Sequence, residues 1–180
     1  MSVPQEPSAQ LSIAPAAGLS FGQCDSPVGV LGVLAGPAGV RSTGWQLSAA
    51  GAPAEPDETV SQALTQLREY FAGRRREFDL PLDLPRLAPT TSTVLRTLAD
   101  TVGYGETVTY GELARRSGTG LPARAIGSVM GANPVPILIP CHRVVASDGL
   151  GGFSGGEPGQ ELETKRWMLE HEGALAPRLI

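Results

Sequence analysis

Hydrophobic positions in the first half of the chain predict a small sheet followed by a helix. Two apolar runs, residues 28–34 and 40–47, are bounded by turn-forming residues, which predicts a hairpin or meander. Over residues 60–71 the apolar side chains recur at helical spacing, and Gly73 follows as a stop signal. Strands that precede a helix in this way predict a compact α/β unit.

The segments on either side of this unit carry different patterns. Residues 1–20 are rich in Ala, Pro, Ser and Gln without periodicity, which predicts a flexible N-terminal segment. Residues 78–84 alternate between apolar and polar positions, which predicts a strand that Pro81 and Pro85 confine to a sheet edge. The N-terminal α/β domain is therefore assigned to residues 21–88.

The remaining residues, 89–180, predict a mainly α-helical C-terminal domain. Apolar residues at helical spacing over 94–102 and 162–171 mark its first and last helices. Gly103 and Gly173 lie just beyond these patterns, where a glycine commonly ends a helix. We expect the N-terminal domain to support this domain.

Two shorter helices are predicted between those two. Thr109 and Glu112 match a capping box that begins a helix over 110–117, and Pro122 suits the start of a second helix over 123–130. Two short helices around a glycine turn resemble a helix-turn-helix. The same pattern describes many helix pairs, so it does not establish DNA binding by itself.

Composition excludes several classes of protein. With 180 residues, 41% of them hydrophobic, the chain can bury a core, so wholesale disorder is excluded. No apolar run approaches the ~20 residues of a membrane span, and the N-terminus lacks a signal-peptide pattern. We therefore expect a cytoplasmic protein that does not bind a membrane.

The supply of cysteine and histidine limits metal chemistry. The chain has only Cys24, Cys141, His142 and His171, too few cysteines for a disulfide framework. No pair of these residues has zinc-finger spacing, and the adjacent Cys141 and His142 cannot easily share one metal ion. The sequence therefore predicts neither a metal site nor a cofactor.

Charge is unevenly distributed along the chain. The net charge of -4 argues superficially against a nucleic-acid partner. Residues 104–143, however, hold four Arg against two Glu, a local surplus of two positive charges. Any face that binds nucleic acid is expected there.

The most informative stretch of the sequence is residues 133–145. Three prolines within seven residues forbid a regular helix and favour extended backbone before Cys141. A thiolate is a strong nucleophile and forms more readily beside a histidine such as His142, although neighbours on an extended chain point to opposite sides. The residues alone support a nucleophile and a buried structural thiol about equally.

A set of motifs in the second half resembles one known family, the O6-alkylguanine-DNA alkyltransferases. In order, the motifs are YGETVTYGELA (104–114), ARAIG (123–127), NPVP (133–136), IPCHRV (139–144), GGFSGG (151–156) and HEG (171–173). The first half is similar only loosely. Three departures are Thr91-Ser-Thr-Val-Leu in place of the family's Phe-Gln-x-x-Val-Trp, Phe153 in place of Tyr, and a small insertion at 157–161.

The resemblance implies a fold and a function. The implied fold is a ribonuclease-H-like N-terminal domain and a winged-helix-like C-terminal domain. The implied function is repair of O6-alkylguanine in duplex DNA by direct reversal, with O4-alkylthymine considered as a minor substrate. The implied partner is double-stranded DNA contacted through its minor groove, and we expect the protein to be a monomer.

The resemblance also implies roles for particular residues. Cys141 resembles the alkyl acceptor, which reacts once because the thioether product is stable. His142, through a water, and Glu172 resemble the activating relay, although Glu172 considered alone reads as a solvated helix-end residue. Asn133 resembles the residue that bonds across the turn before the thiol. Tyr110 resembles the tyrosine that turns the nucleotide out and protonates the leaving guanine.

Further residues resemble the DNA-binding and substrate-binding surfaces of the family. Arg124 resembles the finger that fills the gap in the base stack. The other implied DNA-binding residues are Thr109, Tyr110, Ala123, Ala125 and Gly127. The implied substrate pocket comprises Pro136, Val144, Phe153, Ser154 and Gly155.

Other functions remain open. A non-enzymatic, alkyltransferase-like protein would bind and flip the damaged base without repairing it, and Cys141 argues against that reading because that group lacks the acceptor. An alkylation-responsive DNA-binding regulator and a thiol hydrolase are the remaining alternatives.

Overall fold

The computed structural model of the protein describes residues 18–48 and 55–177. The flexible segment predicted for residues 1–20 lies outside these ranges except for its last three residues. Ser20 already belongs to a strand, so the predicted segment extends too far at that end.

The N-terminal unit contains a three-stranded antiparallel sheet. Its strands are β1 (Ser20–Cys24), β2 (Leu31–Gly36) and β3 (Gly39–Trp45), hydrogen-bonded in that order. The two later strands occupy the apolar runs that predicted them, whereas β1 was not predicted. The sequence of β1, SFGQC, is too polar for its pattern to predict a strand. The position of this strand depends instead on the helix that covers it.

Helix α1 (Glu58–Phe71) covers this sheet. Asp57 caps its first turn by accepting a hydrogen bond of 2.8 Å from the amide of Val60. A Cβ atom at Gly22 would lie 2.8 Å from side-chain atoms of both Val60 and Leu64, so only glycine lets the helix approach β1 this closely. The predicted helix is confirmed.

The edge strand predicted over residues 78–84 is wrong. This segment makes only an isolated bridge to the sheet, in which Val40 donates to the carbonyl of Pro81 and accepts from the amide of Asp83. Pro81 and Pro85 remove two of the amide donors that a longer ladder needs. The segment therefore crosses the edge of the sheet as extended chain and leads into the second unit.

The C-terminal unit is mainly helical, as predicted. Its helices are α2 (Pro89–Thr101), α3 (Tyr110–Ser117), α4 (Ala123–Gly131) and α5 (Glu161–His171). Thr109 caps α3 by accepting from the amide of Glu112. The other half of the predicted capping box is replaced, because the Glu112 carboxylate binds Arg115 and Arg116 instead.

A short parallel strand pair joins the helix pair to the cysteine segment. Strand β4 (Val108–Thr109) pairs with β5 (Val144–Val145). Cys141 itself begins a 3₁₀ turn, Cys141–Arg143, so the extended backbone expected at this point is wrong. The turn directs consecutive side chains about 120° apart rather than to opposite sides.

The two units contact each other beside the cysteine segment. Thr43 of β3 donates from its amide to the carbonyl of Pro134 and from its hydroxyl to the carbonyl of Pro136. Within residues 18–48 and 55–177, no helix is long and apolar enough to cross a membrane.

Candidate active site

Cys141 lies where two cavities meet. One cavity, of about 740 Å³, opens beside helices α3 and α4, and the other, of about 360 Å³, opens beside strand β3. The residue is only 7% exposed and follows the proline-rich segment, in which Ile137 adopts a φ of +75°. A β-branched residue is rarely found in this conformation, which costs about 1–3 kcal/mol. The fold therefore holds the segment before the thiol in a strained shape.

The surroundings of the thiol have opposing effects on its ionisation. Burial raises the pKa of Cys141, while a hydrogen bond from the Asn133 side chain and the positive charge of Lys165 act in the opposite direction. Cys24, the other thiol, is buried in the hydrophobic core with its pKa also raised by burial. Of the two thiols, Cys141 is the one that lines the described cavities.

His142 and Glu172 form a buried pair next to this thiol. Nε2 of His142 lies 2.8 Å from Oε1 of Glu172, and both side chains are almost completely inaccessible to solvent. Because a carboxylate can only accept, Nε2 carries the hydrogen and Nδ1 is left as an acceptor. Nδ1 is buried without a hydrogen-bond partner among the described residues. Reading Glu172 as a solvated helix-end residue is wrong, since the end of α5 packs against the 3₁₀ turn.

The carboxylate of Glu172 accepts hydrogen bonds from three parts of the chain. The hydroxyl of Tyr70 donates to Oε1 at 2.7 Å. Arg143 donates from Nε to Oε2 at 2.8 Å and from Nη2 to Oε1 at 3.1 Å, and the amide of Gly105 lies 3.4 Å from Oε2. The sequence did not single out Tyr70 or Arg143, although Arg143 lies within the IPCHRV motif.

These contacts set the charge of the pair. Burial by itself raises the pKa of Glu172, but the hydrogen bonds and charges of His142 and Arg143 outweigh it and hold the pKa below its ordinary value. Burial lowers the pKa of His142, and the charges of Arg143 and Lys165 lower it further, against the opposing effect of Glu172. The pair therefore consists of an anionic carboxylate and a neutral imidazole at neutral pH.

Asn133 fixes the turn that precedes the thiol. Its side-chain Nδ2 donates to the carbonyl of Ile139 at 2.8 Å, and its Oδ1 accepts from the amide of Val135 at 3.1 Å. Since Asn133 lies two residues beyond the end of α4, these bonds connect the helix to the segment that leads into Cys141.

Lys165 supports the loop opposite the thiol and was not predicted. Its fully buried ammonium donates to the carbonyls of Val144, Leu150 and Gly152 at 2.6, 2.6 and 2.9 Å. Burial lowers its pKa to about 8. One sequence signal could have identified it, because it is the only lysine among the 14 basic residues of the chain.

The larger cavity, called here the base cavity, contains most of the predicted DNA-contacting residues. Tyr110 lines it, with its hydroxyl donating to the carbonyl of Gly152 at 3.2 Å and its pKa raised by burial. Arg124 is exposed at the first turn of α4. The predicted residues that line this cavity are Thr109, Tyr110, Ala123, Arg124, Gly127, Cys141, Phe153 and Ser154.

Several predicted residues lie elsewhere. Pro136 and Gly155 line the smaller cavity, and Ser154 lines both. Val144 lines neither, because its pairing with Val108 in the β4–β5 pair buries it completely in the core. Ala125 also lines neither cavity. It follows Arg124 on helix α4, so its side chain points in a different direction, and it is half-buried.

Among the described residues, no group of three or more His, Cys, Asp or Glu side chains could hold a metal ion. The chemistry that this arrangement can perform is nucleophilic attack by one thiol, with a neutral imidazole and a buried carboxylate beside it.

Two family models match the chain. Residues 20–84 match the 6-O-methylguanine DNA methyltransferase, ribonuclease-like domain, and residues 89–174 match the 6-O-methylguanine DNA methyltransferase, DNA binding domain. Together they cover both units of the fold.

Individual relatives agree with these models. A methylated-DNA--protein-cysteine methyltransferase of Mycobacterium tuberculosis is 41% identical over 159 residues, covering 85% of this chain and 92% of the relative. A DNA base-flipping protein of Thermus thermophilus is 41% identical over 156 residues, covering 83% and 97%. The crystal structure of Mycobacterium tuberculosis OGT in complex with DNA superimposes with a TM-score of 0.72 at 38% identity, covering 87% and 94%.

Proposed function

The chain belongs to the 6-O-methylguanine DNA methyltransferase family, and from that premise we propose that Cys141 accepts the alkyl group from O6-alkylguanine in duplex DNA. The protein is a methylated-DNA–protein-cysteine methyltransferase that repairs DNA by direct reversal, and DNA is its partner. The observation that carries the assignment of Cys141 is its position between the base cavity and the buried His142–Glu172 pair.

The geometry supports the following chemistry. The Cys141 proton passes through a water to Nδ1 of His142, and Glu172 stabilises the imidazolium that forms. The thiolate attacks the alkyl carbon in line, so that an S–C bond forms while the C–O6 bond breaks. The departing guanine takes a proton from the Tyr110 hydroxyl. The thioether does not hydrolyse, so each molecule reacts once.

The reaction requires that the target base leave the duplex. A stacked guanine cannot reach a buried thiol, so the nucleotide must turn into the base cavity. Helix α4 enters the minor groove, where Ala123 and Gly127 allow close approach and Arg124 fills the gap in the stack. Ser154 donates to the lesion oxygen at the cavity wall. Salt-sensitive and modest DNA affinity is expected from so few positive charges.

The proposal extends to several broader properties. The N-terminal domain comprises residues 21–88 and the C-terminal domain residues 89–180, the protein is a monomer in the cytoplasm, and O4-alkylthymine is a minor substrate. Sedimentation of the free protein checks the monomer, and duplexes carrying O4-methylthymine check the minor substrate.

Mass spectrometry tests the assignment of the acceptor. After incubation with a duplex containing O6-methylguanine, the peptide with Cys141 should gain the mass of one methyl group at a stoichiometry of about one per protein. Cys24→Ser should react like the wild type, whereas Cys141→Ala should bind the duplex without reacting. An unmodified Cys141 peptide under conditions where the duplex is bound would refute the proposal.

A second candidate function is favoured by the similarity to the Thermus thermophilus DNA base-flipping protein. In that case the chain would flip and mark the lesion without repairing it. The presence of a thiol at the junction of the cavities argues for transfer. The same mass measurement distinguishes the two, because a marker protein binds the lesion and leaves the methyl group on the DNA.

A further inference from the structure

Another cavity lies between the two units, next to the segment that leads into the thiol. This cavity, named here the interdomain groove, has a volume of about 890 Å³ and is lined by the end of the N-terminal unit, helix α2 and residues 137–140. Cys141 is not among its lining residues, so the groove is separate from the two cavities that contain the thiol. A cleft of this size between two units is a common place for a binding site.

The surface inside the interdomain groove is largely apolar. Both units contribute to it, through Phe78, Leu82, Leu84, Leu95, Ile137 and Ile139. Leu82 is 41% exposed, and within residues 18–48 and 55–177 only two other large apolar side chains, Val30 and Leu162, are as open to solvent. An exposed apolar surface with a polar rim is typical of a site that binds another molecule.

Three arginines on the rim of the groove have no acidic partner. Arg76, Arg86 and Arg96 are exposed, and none of them forms an ion pair with a described residue. Six other described arginines do bind a carboxylate: Arg41, Arg75, Arg115, Arg116, Arg143 and Arg166. The rim is therefore unusual for this chain, in which acidic residues outnumber basic ones.

The balance of charge at the rim favours an acidic occupant. Glu77 and Asp100 also line the groove, so the three free arginines leave a surplus of one positive charge there. Asp100 lies one helical turn after Arg96, yet the two side chains form no ion pair. The guanidinium of Arg96 thus remains available to a carboxylate from outside.

The chain at the edge of the groove also offers free backbone groups. In the bridge to β3, Val40 bonds the carbonyl of Pro81 and the amide of Asp83, the residues on either side of Leu82. The N–H and C=O of a trans peptide point in opposite directions, so the amide and carbonyl of Leu82 face away from β3. Neither makes a hydrogen bond to a described residue. An extended chain can pair with exactly such an open edge.

We propose that the interdomain groove binds an extended peptide segment of a partner protein in which acidic and apolar residues alternate. The backbone of the segment pairs with Leu82, its apolar side chains enter the groove, and its carboxylates bind Arg86 and Arg96. This interaction goes beyond the proposed function and does not depend on alkyl transfer.

A peptide fits this surface better than a nucleic acid does. Nucleic acid that binds in a groove of this kind stacks its bases on open aromatic rings. Here the guanidinium groups of Arg76 and Arg143 lie 5.4 and 6.0 Å from the centre of the Tyr104 ring. The ring of Phe78 packs on that of Tyr70, with centroids 5.6 Å apart. The remaining apolar surface is mostly aliphatic and suits apolar side chains.

Fluorescence anisotropy with synthetic peptides tests the inference. The probe is labelled acetyl-Glu-Val-Glu-Leu-Glu-Val-Glu-amide, whose alternation and β-branched residues favour an extended chain. Its matched control carries Lys at every Glu position. The acidic peptide should bind the wild type at least about tenfold more tightly than the basic one, because only the acidic peptide complements the rim.

Charge reversal at the rim locates the binding site. The double variant Arg86→Glu/Arg96→Glu should bind the acidic peptide about tenfold more weakly, the sum expected for two exposed ion pairs. Arg68→Glu/Arg74→Glu is the matched control, since it changes the net charge equally at two exposed, unpaired arginines outside the groove. The control should bind like the wild type.

Hydrogen exchange tests the backbone pairing without any substitution. The amide of Leu82 should exchange about tenfold more slowly, or slower still, when the acidic peptide is bound to the wild type. Unchanged exchange at Leu82 would overturn the proposed pairing.

The remaining outcomes also decide the inference. It is overturned if the acidic peptide does not bind, or if the two double variants weaken binding equally. It is also overturned if lesion-free oligothymidylate displaces the peptide and itself loses affinity in Arg86→Glu/Arg96→Glu, because the groove would then serve nucleic acid. None of these measurements involves alkyl transfer, so a failure of the proposed function would leave them unaffected.

Discussion

The hydroxyl of Tyr70 donates a hydrogen bond of 2.7 Å to Oε1 of Glu172, a residue 102 positions further along the chain. The same carboxylate oxygen faces Nε2 of His142. Tyr70 belongs to helix α1 of the N-terminal unit, and Glu172 follows the last helix of the C-terminal unit. The N-terminal unit thus supplies a donor to the carboxylate that orients the imidazole, and supports the active site directly.

Removal of this hydroxyl should weaken the fold and shift the histidine. Tyr70→Phe deletes a buried hydrogen bond to an ionised carboxylate, so the free energy of unfolding should fall by about 1.5–3 kcal/mol in urea denaturation. Glu172, with one donor fewer, should attract the His142 proton more strongly and raise its pKa. Tyr104→Phe is the control, since the Tyr104 hydroxyl donates to a neutral group, the carbonyl of His171, at 3.2 Å. Equal losses in both variants would contradict this account.

The rate of methyl transfer should decrease on acidification, and this decrease should occur below pH 6.5. His142 can accept the thiol proton only while neutral, and its folded pKa lies below the ordinary value of 6.5. Single-turnover rates should therefore be retained at pH 6.5 and fall as the pH drops through the lower folded value. A midpoint above pH 6.5 would mean that Glu172 outweighs burial at this imidazole.

The same shifts determine how stability depends on acid. Below pH 6.5 the unfolded chain protonates His142 while the folded imidazole stays neutral, so the free energy of unfolding should decrease as the pH falls there. Glu172 contributes stability above its ordinary pKa of 4.5, and that contribution is lost as the pH falls through its depressed folded value. Urea titrations at several pH values measure both effects, and a stability that rises on acidification through pH 6.5 would refute the first.

Loss of the buried Lys165 ammonium should slow methyl transfer, because it should raise the pKa of the Cys141 thiol. Lys165→Met removes the positive charge that lowers the pKa of Cys141 and releases the loop carbonyls of Leu150 and Gly152. We expect a decrease of about tenfold or more in the single-turnover rate, which corresponds to ~1.4 kcal/mol of transition-state stabilisation. Ultraviolet titration in a Cys24→Ser background should show a higher pKa for Cys141. Lys165→Arg preserves the charge and should raise the pKa less.

Arg124 should matter for duplex DNA and little for a free base. Arg124→Ala removes the side chain that fills the gap left by the flipped nucleotide, so transfer from a duplex should slow by about 10- to 100-fold, on the scale of the cost of unstacking. Reaction with the free base O6-methylguanine should change much less. Arg115→Ala, which removes an exposed arginine of the neighbouring helix α3, is the control. A loss of the same size in both variants would show that Arg124 contributes only its positive charge and does not fill the gap.

Local sequence rules predicted the helices and most of the sheet because those elements depend on short-range signals. The periodic apolar face of helix α1 and the glycine stop just beyond it, Gly73, are both local signals, and the structure adds a local cap at Asp57. Strand β1 and the segment over residues 78–84 were misjudged because neither follows from its own pattern. The first depends on the cover of α1, and the second on a bridge to Val40 that two prolines prevent from extending.

The sequence alone determined which thiol is the candidate nucleophile and which histidine lies beside it, because Cys141 and His142 are neighbours in a stiff, proline-rich segment. It also determined the family, through motifs concentrated in the second half. Only the tertiary structure brought Tyr70, Arg143 and Lys165 to the site. These contacts join residues that are far apart in the chain or depend on which way a buried side chain faces, and packing of the two units decides both.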